Sequence, residues 1–151
     1  MENITPEFIW KAAKGFTCGH CGQFVKLYRR KLNSNMALTL LLLYRSGKRD
    51  FVHIENFMQE LGYKRSGDFS YLVHWKFLEK KSGNREDGST RNGHYKLTGL
   101  GIMFAEGKIT AREKIMIFNN KFEGFDGGEV DIRTALTEKF NYEELMSFKT
   151  L

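Results

Sequence analysis

The 151 residues, 41% hydrophobic and 28% charged, have the composition of one compact globular domain with short appendages. The longest apolar run, Met36 to Tyr44, is broken only by Thr39; it falls well short of the roughly 20 residues a bilayer span needs, so no membrane partner is expected. The net charge of +6 is concentrated: Phe8 to Arg49 holds no acidic residue, yet carries Lys11, Lys14, Lys26, Arg29, Arg30, Lys31, Arg45, Lys48 and Arg49.

Such a one-signed stretch repels itself unless a polyanion or an acidic partner lies against it. Clustered Lys and Arg act strongly on phosphates through counterion release, which favours a polyanion. Along the chain, residues 1–35 read as an N-terminal arm. The start Met1-Glu2-Asn3-Ile4-Thr5-Pro6 lacks the basic residues and apolar stretch of a secretion signal. Two Cys three apart give no disulfide framework, so a cytoplasmic location is expected. Pro6 to Lys14 is a short helical candidate; the Gly/Cys segment Gly15 to Gly22 and the basic stretch with Lys26, Arg29, Arg30 and Lys31 follow.

Asn33-Ser34-Asn35 offers N-cap side chains for a helix from Met36 to Arg45, stopped by Gly47. Its Leu40 to Leu43 run is apolar all round, which predicts a central helix or one shared with a second subunit. Phe51-Val52-His53 reads as a very short strand. Ile54, Phe57, Met58 and Leu61 then fall at i, i+3, i+4 and i+7, an amphipathic helix stopped by Gly62. After a tight turn, Asp68 caps a third helix to Phe77, with Phe69, Leu72, Val73, the stem of Lys76 and Phe77 predicted inward. Two short helices about a Gly-containing turn form a helix-turn-helix pattern.

A strand over about Phe77 to Lys81, a polar Gly-rich loop from Ser82 to Gly93 and a returning strand His94 to Leu97 complete a hairpin. Thr98 caps a helix with Leu100, Met103 and Phe104 predicted inward and Gly107 at its end. Residues 109–151 read as a separate lobe. It comprises strands Lys114–Phe118 and Lys121–Phe125 about an Asn119-Asn120 turn, a short helix from Asp131 to Glu138, and a last helix opened by Asn141 with Glu144. The expected class is α+β.

Tyr95-Lys96-Leu97-Thr98-Gly99-Leu100-Gly101-Ile102-Met103-Phe104 is similar to the Y-x-L-T-x-x-G-x-x-F segment that follows the wing in MarR-like and PadR-like repressors. Over residues 36–108 the chain resembles this winged-helix family of bacterial and phage regulators, and its flanks resemble small phage-type proteins. The long terminal dimerisation helices of MarR-like proteins are missing from the pattern, which leaves monomer and homodimer both open. By resemblance, the third helix enters the major groove of double-stranded DNA, with Ser70, Tyr71 and His74 outward and Lys64 and Arg65 just before it. The wing residues Lys80, Lys81, Arg85 and Arg91 then meet the backbone or minor groove. Trp75 reads as core.

Cys18-Gly19-His20-Cys21-Gly22 admits three readings. As half of a zinc ribbon, Cys18 and Cys21 need two further ligands, from His53, His74, His94 or a second chain. As a redox motif it lacks the strand–helix context and a facing proline, since Pro6 precedes it. The favoured reading is a packed turn with both thiols reduced and no cofactor. No phosphate-binding loop, H-E-x-x-H or G-x-S-x-G is present, and Glu86-Asp87 and Glu143-Glu144 read as solvated surface. The expectation is a non-enzymatic DNA-binding transcriptional regulator. The alternative is a protein-interaction module, an inhibitor or adaptor of a host protein, because the third helix is poor in Arg, Asn and Gln.

Overall fold

The computed structural model describes residues 16–17, 24–25, 27–64, 66–81, 93–118 and 121–147. The helical candidate Pro6–Lys14, both cysteines, Lys26, Arg65, Arg85 and Arg91 lie outside the described residues. The strands are β1 (Phe16–Thr17), β2 (Phe24–Val25), β3 (Tyr28–Lys31), β4 (Val52–His53), β5 (Leu78–Lys80), β6 (His94–Leu97), β7 (Ala111–Phe118) and β8 (Lys121–Val130). The α-helices are α1 (Ser34–Ser46), α2 (Ile54–Glu60), α3 (Gly99–Ala105), α4 (Ile132–Leu136) and α5 (Tyr142–Ser147), joined by 3₁₀ turns at Asp68–Val73 and Thr137–Lys139. The class is α+β. Two compact units emerge, one of residues 1–31 and 112–128, the other of residues 32–111 and 129–151.

In the first unit β1 pairs with β2, and a three-stranded antiparallel sheet runs in the order β3-β7-β8. Tyr28 faces Ile117, Arg29 faces Met116, Arg30 faces Ile115 and Lys31 faces Lys114. The basic stretch is therefore a sheet strand, paired to residues some eighty positions later.

The second unit is built around α1, whose residues Met36 to Leu43 are all buried. That agrees with an apolar surface on every side. Asn33 Oδ1 accepts from the Met36 N–H at 2.9 Å, and Gly47 at φ 76° closes the helix in the left-handed region. The hydroxyl of buried Thr39 donates to the Asn35 carbonyl, so this polar group is satisfied within the core. Packed on α1 are α3, α4, α5 and the first 3₁₀ helix. The sheet order is β4-β6-β5, with Val52 opposite Tyr95 and Leu78 opposite Leu97. His53 caps α2, its Nδ1 accepting from the Asn56 N–H.

Four inward assignments need correction: Val73, which is only half-buried, Lys76, Leu100 and Met103. The third helix is not an α-helix to Phe77 but a 3₁₀ helix ending at Val73. Its buried residues Phe69 and Leu72 stand three apart, and buried Trp75 in the turn that follows keeps that spacing, the 3₁₀ period. Lys76 closes that turn at φ 64°, and its side chain is exposed rather than inward. On α3, Leu100 and Met103 are 45% and 39% exposed. The inward face is Gly101, Phe104 and Ala105, set by the close approach of Gly101 to the backbone of Phe77.

Asn33 also makes a tertiary contact. Its Nδ2 donates to Asp68 Oδ2 at 2.9 Å, tying the start of α1 to the start of the 3₁₀ helix. Asn33→Ala removes both the cap and this tie, with an expected loss of about 1–2 kcal/mol in urea denaturation. Asn33→Asp keeps a capping oxygen but sets a carboxylate against Asp68, so it is expected to recover only part of that loss.

Candidate nucleic-acid interface

The 3₁₀ helix and the β5–β6 hairpin converge on one open groove of about 630 Å³. Ser70, Val73 and His74 line one side, Lys80, Gly93 and Tyr95 another, and Glu55 of α2 adds one negative charge. The helix is held by its buried side, where the Phe69 ring meets Tyr95 edge-on at 5.3 Å. The outer side carries Ser70, Tyr71 and His74. Ser70 Oγ donates to the Gly67 carbonyl, which fixes the hydroxyl at the turn.

Tyr71 and His74 are half-buried rather than fully outward, with ring centroids 6.4 Å apart. Burial lowers the His74 pKa. Burial thus favours the neutral imidazole, which offers one donor and one acceptor. The cations come from the surroundings. Lys64 lies exposed before the 3₁₀ helix and Lys76 after it, while Lys80 and Lys81 are exposed at the end of β5. Hydroxyls and an imidazole in the groove, with the Lys80 ammonium on its wall, suit recognition of a polyanion with hydrogen-bonding edges.

In the first unit, alternation puts Tyr28 and Arg30 on one face of β3, and Arg29 and Lys31 on the other. All four are exposed. The Arg30 guanidinium lies 5.5 Å from the Tyr28 ring centre. Arg29 is paired with Asp126 of β8, and that hydrogen bond, with a backbone N–H from Gly127, holds the Asp126 carboxyl below its usual range. Part of the charge attributed to this stretch is thus neutralised within the sheet.

Ser70, His74 and Lys80 come together around the groove, with Tyr71 against His74 and Lys64 and Lys81 nearby in sequence. Arg29, Arg30 and Lys31 belong to the other unit. Glu55 is a groove residue that sequence periodicity does not point to, and Lys76 is exposed just after the 3₁₀ helix. The exposure of Lys76 follows from its left-handed backbone, which no hydrophobic pattern reports. Among the described residues, no three or more His, Cys, Asp or Glu side chains are grouped to hold a metal ion. The zinc reading of Cys18 and Cys21 rests on sequence alone. No helix among the described residues is long and apolar enough to cross a membrane. Comparison with family models, curated proteins and solved structures found no match.

Proposed function

We propose that the second unit is a winged-helix module that binds double-stranded DNA, and that the chain acts as a transcriptional regulator of bacterial or phage type. The observation that carries this reading is the order of elements around the groove. A helix, a short strand, a second helix, a third short helix and a hairpin follow one another, with the first strand adding to the hairpin as β4-β6-β5. The third element and the hairpin flank the groove lined by Ser70, His74 and Lys80. In this reading Ser70, Tyr71 and His74 meet base edges or phosphates, and Lys64, Lys76, Lys80 and Lys81 meet phosphates.

A second reading keeps the scaffold but gives it a protein partner, a host protein or a second copy of the chain. It is favoured by Leu100 and Met103, two apolar side chains exposed on α3. The two readings differ in their response to salt. Duplex binding carried by phosphate contacts weakens linearly in log affinity against log salt. Arg30→Ala with Lys31→Ala is expected to reduce that slope by about two and to weaken all sequences alike. Arg29→Ala is expected to change it less, because Asp126 already neutralises that charge. Fluorescence anisotropy over a salt series checks both. An unchanged slope in the double variant would remove β3 from the interface.

A further inference from the structure

The first unit carries an aromatic surface that duplex binding does not use. Tyr28, Phe122 and Phe125 are 44%, 37% and 37% exposed. The strand pairing sets the side on which they lie. Tyr28 and Arg30 share one face of β3, and Arg29 lies on the other. Asp126 pairs with Arg29 and so lies on the Arg29 face, which turns its neighbour Phe125 to the Tyr28 face. The Phe122 ring meets Phe125 edge-on at 5.2 Å and therefore shares that face. Gly124, at φ 124°, supplies the backbone irregularity that lets residues three apart point the same way. On the same face Ile115 is fully buried and Ile117 half-buried, so it is the rings that meet solvent.

We propose that this face of the β3-β7-β8 sheet binds single-stranded nucleic acid, with unpaired bases stacking on Tyr28, Phe122 and Phe125. Flat exposed rings on a sheet match flat bases, and every base offers a stacking face, so such a platform is tolerant of sequence. Positive charge beside the rings comes from Arg30, which shares their face with its guanidinium 5.5 Å from the Tyr28 ring centre, whereas Arg29 and Lys31 lie on the other face and Arg29 is paired with Asp126. Single-strand binding here is separable from duplex recognition through the rings Tyr28, Phe122 and Phe125, none of which is assigned a duplex contact, whereas Arg30 can serve both.

The test is fluorescence anisotropy of the full chain at low salt with three probes. These are an oligothymidylate of about twelve nucleotides, an abasic oligomer of the same length, and a blunt duplex. Wild type is expected to prefer the oligothymidylate over the abasic strand by about tenfold or more. Phe122→Leu with Phe125→Leu, apolar but unable to stack, is expected to erase that preference while leaving duplex affinity unchanged. Replacement of both by Tyr is expected to retain it. If the Leu pair lowers the melting temperature, Tyr28→Leu carries the same expectation at smaller amplitude. Equal binding of bases and abasic strand by wild type, or a preference that survives loss of the rings in a folded variant, overturns the proposal. Absence of duplex binding alone bears on the duplex reading and not on the stacking face.

Discussion

Gly101→Ala is expected to destabilise the second unit by about 3 kcal/mol, although alanine is the better helix former. A Cβ at position 101 would stand 2.4 Å from the Phe77 carbonyl oxygen and 2.7 Å from Leu97 Cδ1. The leucine methyl can swing away. The carbonyl is fixed, because it accepts the Thr98 N–H at 3.1 Å, and Thr98 in turn caps α3 through its hydroxyl. Relief therefore requires α3 to back away from the sheet, which pulls Phe104 off the Phe77 ring it stacks on at 4.7 Å. Gly99→Ala is the control: no neighbour lies within 4 Å of its Cβ, so it is expected to be neutral or stabilising by up to about 1 kcal/mol. Guanidinium denaturation of the two variants checks the contrast. Equal stabilities would mean that α3 does not approach the strands through Gly101.

The second large effect lies in the 3₁₀ helix. Leu72 is fully buried, and Leu72→Ala is expected to cost about 2–5 kcal/mol through lost burial and the cavity left behind. Ser70, on the outer side, bonds to its own turn, and Ser70→Ala is expected to stay within about 0.5 kcal/mol. Tyr71→Ala with His74→Ala falls between, at about 1–2 kcal/mol, because both rings are half-buried. Thermal unfolding followed by circular dichroism ranks the three. A Leu72→Ala protein as stable as wild type would contradict the assignment of the inner side.

Local signals in the sequence set out much of the second unit. Asn33 and Gly47 mark the ends of α1 because capping is a matter of neighbouring residues. The spacing of Ile54, Phe57 and Met58 marks α2 for the same reason. The third helix is misread by an α-helical period, which accommodates Phe69, Leu72 and Phe77, whereas Phe69, Leu72 and Trp75 repeat every three. Hydrophobicity alone sets Leu100 and Met103 inward because it counts side chains. The contact that orients α3 is made by a residue without one. Least legible is the β3–β7 pairing, together with the Arg29–Asp126 ion pair across 97 residues; no local pattern encodes either. At the candidate site, Lys64, Ser70, Tyr71, His74, Lys80 and Lys81 stand close enough in sequence to be picked out together. Glu55 joins them only through the fold.

The most direct test of duplex recognition is a salt-titrated binding isotherm on random double-stranded DNA, followed by selection of a preferred site and measurement of the Tyr71→Ala, His74→Ala protein on both. The winged-helix reading predicts measurable wild-type affinity at low salt that falls steeply as salt rises. It also predicts a double variant that stays folded, keeps the weak salt-sensitive binding through its lysines, and loses preference for the selected site. Absence of wild-type affinity for any duplex at low salt would contradict DNA binding and leave the protein-interaction reading in its place.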